Sequence, residues 1–342
     1  MELKVKLATR KGLEMEKKTV KFGVFTDLHL EIMNDGERRL KEFISNMKEE
    51  NVDFVIQLGD FCYPNKPETC FCSDSNMPVN LKNALIYPIL SKNEEMRDLY
   101  NSFEKPHYHV LGNHEQDFGS KEEAMTFYGM EKRYYSFEVK NWKMIVIDAS
   151  NFKTEDGCIK AYDHGDYFDS RDLPYIDEEQ MKWLEKELMS SIGPAIVFSH
   201  QPLNEGPRGI RNAKQLSELF HRAFKKGRKV HLCINGHIHV DRYQEWNGVG
   251  YLTLNSMSNH WIGTKYACKR YDNETEMNYP NLQYTFPYKQ ALYSVVELSD
   301  EKAVVKGISG SFIMPSPDEL GLPKNSVPGL TAGIQNRVIS WK

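Results

Sequence analysis

The sequence predicts an α/β fold, built on a mixed β-sheet or on two sheets packed face to face. Three observations support this prediction. Short apolar runs rich in β-branched and aromatic residues recur along the chain and predict buried strands. Amphipathic helical patterns separate several of these runs, which is typical of α/β proteins. The last predicted strands follow one another without helices between them, which disfavours a purely parallel, doubly wound sheet.

The predicted elements alternate as far as residue 234 and are mostly strands after it. The apolar runs predicted as strands are 20–26, 54–58, 107–111, 144–147, 195–199 and 230–234. Helical patterns cover 36–48, 177–189 and 212–225, and the last of these places Leu216, Leu219, Phe220 and Phe224 on one face. Further strands are predicted at 250–254, 290–298, 302–309 and, at the end of the chain, 337–341.

The composition is that of an ordinary globular protein. Of 342 residues, 40% are hydrophobic and 27% are charged, and the formal net charge is −4. This charge offers no basic excess to neutralise a phosphate backbone, so a nucleic-acid polymer is not an expected partner. The six cysteines are too sparse for a disulfide scaffold, and no signal-peptide pattern or run of roughly 18 apolar residues is present. We therefore expect a cytoplasmic protein without a membrane span.

Polar residues suited to metal binding stand where five predicted strands end. The groups are Asp27-Leu28-His29, Gly59-Asp60, Gly112-Asn113-His114-Glu115, His200 and Gly236-His237-Ile238-His239. In an open α/β sheet, ligands bind beyond the carboxyl ends of the strands, so we expect these groups to meet on one rim. Three other polar residues in or after strands, His107, His109 and Asp148, are expected to be structural, with Asp148 acting as a cap or as an acceptor behind the ligands.

The residue types indicate which ions such a rim could hold. Carboxylate and imidazole together suit Mn, Fe or Zn, whereas an all-oxygen set would indicate Mg or Ca. The candidate ligands are Asp27, His29, Asp60, Asn113, His200, His237 and His239. They are too many for one tetrahedral site and suit two ions that share a bridging carboxylate. Two such ions lie roughly 3.5–4 Å apart and act on the attacking and leaving oxygens of an in-line displacement.

These blocks resemble the five-block signature of the calcineurin-like metallophosphoesterase superfamily, in the family order and over residues 27–239. The Asp27-x-His29 block resembles the phosphodiesterase-like branch, which includes the class III cyclic-nucleotide phosphodiesterases. Gly59-Asp60-Phe61-Cys62-Tyr63 gives a partial likeness to purple acid phosphatases, in which the tyrosine is an iron ligand. Because His29 already fills that coordination place, we expect Tyr63 to lie behind the ligands or to face substrate.

The resemblance implies a four-layer α/β/β/α sandwich, with two mixed β-sheets flanked by helices, and a role for each residue of the blocks. One metal ion would be bound by Asp27, His29 and His239, and the other by Asn113, His200 and His237. Asp60 would bridge the two ions. A hydroxide held between the ions would attack phosphorus, and His114 would contact the phosphate oxygen and donate a proton to the leaving group.

The implied activity is hydrolysis of a small-molecule phosphoester, and His29 favours a phosphodiester or nucleotide-type substrate. The candidate substrate contacts are Tyr63, His114 and His260. Two alternatives stay open at this point. One is a phosphomonoesterase or protein phosphatase of the same fold. The other is a catalytically silent scaffold, whose mark would be a missing ligand or a missing His114.

One metallophosphoesterase domain is predicted over residues 20–312. Irregular stretches at about 61–105, 151–176 and 257–290 are predicted to be insertions that form a cap over the site. Aromatic residues in these insertions could stack on a base or a ring. Residues 313–342 are predicted to be a C-terminal tail that packs on the domain, and the oligomeric state is left open.

Overall fold

The centre of the protein consists of two six-stranded β-sheets. The computed structural model describes residues 19–62, 92–117, 119–168, 173–190, 193–206 and 208–341. In chain order the strands are β1 Val20–Phe25, β2 Phe54–Gln57, β3 His107–His109, β4 Tyr135–Val139, β5 Trp142–Val146, β6 Asn151–Lys153, β7 Ile159–Ala161, β8 Ala195–Phe198, β9 Val230–Asn235, β10 Arg242–Trp246, β11 Val249–Thr253, β12 Asn259–Trp261, β13 Thr285–Pro287, β14 Ser294–Leu298, β15 Lys302–Gly307 and β16 Arg337–Ser340. The α-helices are α1 Gly36–Glu49, α2 over residues 92–101, α3 Lys121–Tyr128, α4 Glu178–Ser190, α5 Ala213–Lys225 and α6 Asn273–Asn278.

Both large sheets are mixed. The first has the strand order β16–β15–β14–β1–β2–β3, with β1, β2 and β3 parallel and the other neighbours antiparallel. The second has the order β10–β11–β9–β8–β5–β4, with four parallel strands in the middle and an antiparallel strand at each edge. Parallel strands that share a direction bring their carboxyl ends to one edge, which is where the loops with the predicted ligands begin.

Three hydrophobic clusters separate four layers. The central cluster lies between the sheets: the Phe22 ring stacks on Phe54 of the same sheet at 4.9 Å and meets Phe198 of the other sheet edge-on at 5.6 Å. A second cluster packs α1, α2 and α3 on the outer face of the first sheet, and a third packs α4 and α5 on the outer face of the second. The predicted α/β/β/α sandwich is therefore confirmed, because each sheet buries one face on the other sheet and one on helices.

The predicted helices agree with α1, α4 and α5 to within one residue at each end. One assignment was wrong: Phe224 was placed on the buried face of α5, but its side chain is 56% exposed. The edge strands β4 and β10 were not predicted. All of their residues are half-buried or exposed, and neither strand is fully buried, because a sheet edge is covered by fewer neighbours than the strands inside it.

The predicted insertions carry short elements of their own. Within 151–176, β6 and β7 form a two-stranded ribbon, and within 257–290, β12 pairs with β13. In the tail, β16 pairs with β15, so the strand predicted at 337–341 is present. Residues 63–91, including Tyr63, Cys70 and Cys72, lie outside the described residues. In the part of the chain that is described, no helix is long and apolar enough to cross a membrane.

A buried ion network ties α3 to the end of β5. Lys121 is 3% exposed, and its ammonium group donates to Asp148 Oδ2 at 2.6 Å, to the Ser150 carbonyl oxygen at 2.7 Å and to Asn151 Oδ1 at 2.9 Å. Arg133 adds a second cation to the same carboxylate, at 2.9 Å. Burial alone would raise the pKa of Asp148, but Lys121 and Arg133 hold it below its usual value. Asp148 is thus structural, as the sequence analysis expected.

We expect Lys121→Met to lower the free energy of unfolding by about 3 kcal/mol, because it leaves a buried carboxylate with one cation fewer. Urea unfolding followed by far-UV circular dichroism would measure the change. Lys182→Met on the exposed side of α4 is the control and should stay within about 0.5 kcal/mol of the wild type. An unchanged unfolding midpoint for Lys121→Met would show that the network adds nothing to stability.

Candidate metal centre

Loops that follow five parallel strands build the site, and their backbone is unusual. Left-handed φ angles occur at Asp27 (52°), His29 (48°), Asp60 (51°), His237 (72°) and His239 (50°). Such angles are uncommon for residues other than glycine and are held only where the surrounding structure imposes them, often at functional sites. Here they bend the chain sharply directly after the strands, at the residues that carry the candidate ligands.

Two glycines allow the loops to approach one another. Gly59 has φ +92°, and a Cβ there would lie 2.5 Å from the backbone nitrogen of Gly112. Gly236 has an ordinary φ, but a Cβ there would overlap Thr26 Oγ1 and would come 2.5 Å from Asp27 Oδ2. Any side chain at these positions would push apart the loops that carry the candidate ligands.

Asp27, His29 and His239 form the first cluster of ligand atoms. The His29 and His239 Nε2 atoms lie 3.0 Å apart, and His239 Nε2 is 3.1 Å from Asp27 Oδ1. His29 Nε2 is 3.6 Å from the same carboxylate oxygen. All three side chains are buried. Two imidazole nitrogens and a carboxylate oxygen that face one another in a buried space are a donor set that a transition-metal ion would satisfy.

Asp60, Asn113, His200 and His237 form the second cluster. His200 Nε2 lies 3.0 Å from Asp60 Oδ2, 3.2 Å from Asn113 Oδ1 and 3.1 Å from His237 Nδ1. Asp60 Oδ2 is also 3.9 Å from His29 Nε2 of the first cluster. The Asp60 carboxylate thus stands between the two clusters, where a bridging ligand would have to be.

Outer hydrogen bonds fix which nitrogen of a histidine faces the centre. The Nδ1–H of His200 donates to the Leu58 carbonyl oxygen at 2.8 Å, and that of His239 donates to the Asn259 carbonyl oxygen at 2.7 Å. In both residues Nδ1 is thereby engaged outside the cluster, and Nε2 points into it. This arrangement orients metal-binding histidines in proteins and raises their basicity.

Burial and neighbouring charges shift the ionisation of the cluster. Burial lowers the pKa of His29 to about 4. Burial and the positive charge of His200 lower the pKa of His237 to about 3. Both rings are therefore neutral at neutral pH and able to act as ligands. Burial alone would raise the pKa of Asp27 and of Asp60, but the histidines around them hold both carboxylates below their usual range. Burial alone would lower the pKa of His200, but Asp60 and Asp27 raise it to about 9. The two carboxylates therefore attract positive charge, which a proton on His200 or a bound cation can supply.

His114 lies next to the clusters in a different setting. Its Nε2 is 3.9 Å from Asp60 Oδ2, while its Nδ1 is 2.9 Å from Asp117 Oδ2 and 2.9 Å from the Tyr167 hydroxyl group. Tyr167 also donates to Asp117 Oδ1. Burial would lower the pKa of His114, but Asp117 and Asp60 raise it to about 9. The ring is therefore held with one edge toward the centre and can keep a proton there.

Glu115 connects the loops beneath the centre. Its carboxylate accepts backbone N–H bonds from Asp60 at 3.0 Å, from Phe61 at 2.9 Å and from Gly112 at 2.6 Å. Burial and the nearby Asp60 charge raise the pKa of Glu115 to about 7. The loops after β2 and β3 are thus joined through one side chain, which sets the position of Asp60 relative to Asn113.

A cleft of about 290 Å³ opens beside His237 and His239. His260 and Trp261 from β12 line one part of it, and Arg208 and Arg242 line another. The Nδ1–H of His260 donates to the His239 carbonyl oxygen at 2.8 Å, and the Trp261 ring meets the His29 ring edge-on at 6.2 Å. The metal clusters and this cleft therefore form one continuous surface.

The sequence model of the calcineurin-like phosphoesterase family matches residues 20–241, which is more than half of the chain. This chain is a calcineurin-like phosphoesterase. This match confirms the resemblance that the five blocks showed, and it confirms the assignment as a metallophosphoesterase. Metal-dependent phosphoester hydrolysis is therefore the class of reaction, and the clusters described above are able to hold the metal ions.

Solved structures agree with this phosphoesterase in fold. A dimetal phosphatase from Danio rerio has 16% sequence identity and a TM-score of 0.57, over 87% of this chain and 99% of that chain. GAP50, described as the anchor in the inner membrane complex of Plasmodium, has 19% identity and a TM-score of 0.52, over 95% of this chain and 90% of that chain. At such identities the likeness concerns the fold alone. Comparison with curated proteins finds no match.

The structure brings all seven predicted ligands of the phosphoesterase together, but sequence reasoning missed several residues around them. Glu115 was part of a block and received no role. Asp117 was missed although its spacing of three residues from His114, inside a helical turn, was an available signal. Arg208 and Arg242 carry no such signal, because they come from a loop and an edge strand that meet only in the folded chain. Tyr63, predicted to touch substrate, lies outside the described residues.

We expect Asp117→Asn to slow the phosphoesterase by roughly 10- to 100-fold while the metal content stays unchanged, because Asp117 orients His114 without belonging to either cluster. Steady-state kinetics with aryl phosphoesters and elemental analysis would measure both quantities. Asp163→Asn, an exposed carboxylate, is the control. In a double-mutant cycle, Asp117→Asn should add little to His114→Ala. Additive losses would show that Asp117 acts independently of His114.

Proposed function

We propose that the chain is a dinuclear-metal-dependent phosphodiesterase acting on a small, nucleotide-type phosphodiester. The observation that carries this proposal is the position of Asp60, whose Oδ2 lies 3.0 Å from His200 and 3.9 Å from His29, between two clusters of ligand atoms. One ion would be held by Asp27, His29 and His239, and the other by Asn113, His200 and His237, with Asp60 shared. Mn, Fe and Zn all suit this donor set.

The residues of the chain divide the work of hydrolysis. Two bound ions would stabilise the charge on the phosphoryl oxygens and lower the pKa of water between them. Asp27 and Asp60 balance the charge of these ions. His114 holds a proton at Nε2, 3.9 Å from Asp60 Oδ2, and delivers it to the oxygen of the leaving group. Asp117 and Tyr167 keep that ring in place, so the proton is presented from one direction.

Three features support a diester as substrate. His29 occupies the position that distinguishes the phosphodiesterase-like branch in the motif Asp27-x-His29. Two predicted insertions border the site, since 151–176 supplies Tyr167 and 257–290 supplies His260 and Trp261. The Trp261 ring in the cleft offers an apolar face to the second ester group, as an aromatic side chain does for a base or a ring.

Turnover of bis-p-nitrophenyl phosphate and p-nitrophenyl phosphate by the metal-loaded protein tests the proposal. We expect kcat/KM for the diester to exceed that for the monoester by at least about tenfold, which corresponds to roughly 1.4 kcal/mol of transition-state preference. A preference for the monoester would favour the alternative of a phosphomonoesterase or protein phosphatase. No metal-dependent turnover of either ester would contradict the proposed function and favour a scaffold. The Asp60→Ala protein from the same purification controls for contaminating hydrolases.

A further inference from the structure

Arg208 and Arg242 line the cleft beside the metal centre, and their guanidinium groups are unpaired among the described residues. Both side chains are exposed, and among the described residues neither has a carboxylate within ion-pair distance or a side-chain hydrogen bond. Arg133 and Arg337, by contrast, are engaged: Arg133 bonds Asp148 and Asp177, and Arg337 bonds Asp241. Two unpaired guanidinium groups in one cleft are therefore a local feature of this chain.

The loop that carries Arg208 is held in a defined conformation. Arg208 has a left-handed φ of 61°, which is uncommon for a long side chain. The next residue, Gly209, leaves no room for a Cβ, which would overlap the Asn204 carbonyl oxygen. The backbone N–H of Ile210 donates to the carbonyl oxygen of Pro202 at 3.0 Å, and Pro202 lies two residues after His200 in the chain. The position of Arg208 is thus coupled to the loop of a candidate ligand, and strained backbone of this kind is typical of functional loops.

The charges in the cleft indicate what it can bind. Arg208 and Arg242 add positive charge on the side of His237 and His239, so this part of the surface repels further cations and attracts an anion. A guanidinium group presents N–H donors in one plane and can form two parallel hydrogen bonds to a phosphate or a carboxylate. The metal ions would already neutralise the scissile phosphate, and the arginines would not be needed for it. The cleft therefore suits a second anionic group of the same ligand.

We propose that the cleft lined by Arg208, Arg242, His260 and Trp261 binds a second anionic group of the substrate, a phosphoryl or carboxylate group separated from the scissile phosphate by a short linker. This inference rests on the proposed function, because it takes the metal centre as the site of the scissile phosphate. The enzyme then selects substrates that carry two anionic groups over simple esters with one. Trp261 packs on the linker or on the ring attached to it.

Three matched ligands test the proposal: propylphosphonate, 3-phosphonopropionate and propane-1,3-diphosphonate. They share one phosphonate and differ in whether the far end is a methyl, a carboxylate or a second phosphonate. Titration calorimetry with the manganese-loaded full chain gives the affinities without turnover. We expect at least one of the two doubly anionic ligands to bind about tenfold or more tightly than propylphosphonate. An advantage for the carboxylate as well as the phosphonate indicates a site for either anion, and an advantage for the phosphonate alone indicates a phosphoryl group.

The arginine variants give the decisive comparison. In Arg208→Ala and Arg242→Ala, the advantage of the doubly anionic ligands should fall to about threefold or less, and the double variant should abolish it. Arg222→Ala, an exposed arginine of α5 in the outer helix layer, should behave like the wild type. Metal content and melting temperature, measured on each variant, separate a lost binding group from a misfolded chain.

Two results would overturn the proposal: equal affinity of the wild type for all three ligands, or an advantage that survives in the double variant. Neither result depends on catalysis. Failure of the proposed function would appear differently, as absence of metal-dependent turnover with every phosphoester. Turnover of bis-p-nitrophenyl phosphate together with equal affinities would contradict only the second anionic subsite.

Discussion

Asp60→Ala is expected to lose both metal ions and essentially all activity. Asp60 lies between the two clusters, and its Oδ2 faces His200 at 3.0 Å and His29 at 3.9 Å, so in the proposed centre its removal would take one ligand from each ion. The centre would also lose the negative charge of the Asp60 carboxylate, which attracts cations. We expect the metal content to fall from about two ions per chain to well below one. The loss in kcat should be on the order of 10⁴-fold or more, as for other residues that act as part of a unit.

Elemental analysis of the purified protein and turnover of an aryl phosphodiester with added manganese would measure both effects. Asp156→Ala is the matched control, because Asp156 is an exposed carboxylate in the turn of the β6–β7 ribbon. It should keep the metal content and the rate of the wild type. If Asp60→Ala kept wild-type turnover with manganese supplied, the two-metal interpretation would be wrong. Circular dichroism would show that the variant is folded.

His114→Ala is expected to keep its metal ions and to lose rate by roughly 10²- to 10⁴-fold, the usual contribution of a general acid. The loss should depend on the leaving group, because a poor leaving group needs the proton and p-nitrophenolate does not. A series of aryl phosphodiesters with phenols of rising pKa would measure this dependence. The rates of the variant should fall more steeply along the series than those of the wild type.

His164→Ala is the control for this substitution, since His164 is a half-buried histidine paired with Asp163 and lies outside both clusters. It should reproduce the wild-type series. Equal losses for good and poor leaving groups in His114→Ala would contradict a role in proton donation and would favour a role in holding the phosphate. Loss of metal in the variant would instead mean that His114 belongs to the ligand set.

Much of the fold could be predicted from the sequence, and the exceptions have one physical cause. The buried strands β1, β2, β8 and β9 and the helices α1 and α4 carry apolar patterns, because each is covered by other elements. The edge strands β4 and β10 are half-exposed and carry no such pattern. Phe224 was misplaced because periodicity predicts a face of a helix but not how far along that face the sheet reaches.

The candidate site divides in the same way. The sequence by itself determined the metal-binding residue types at five strand ends, because each block is local and follows a predicted strand. Through their resemblance to a known family, the blocks also indicated the class of reaction. Only the tertiary structure decided the contacts between blocks, such as His29 with His239, 210 residues apart, and Tyr167 with His114, 53 residues apart. The same holds for the cleft of Arg208 and Arg242. Such contacts depend on how two sheets and their loops pack, and no short stretch of sequence encodes that packing.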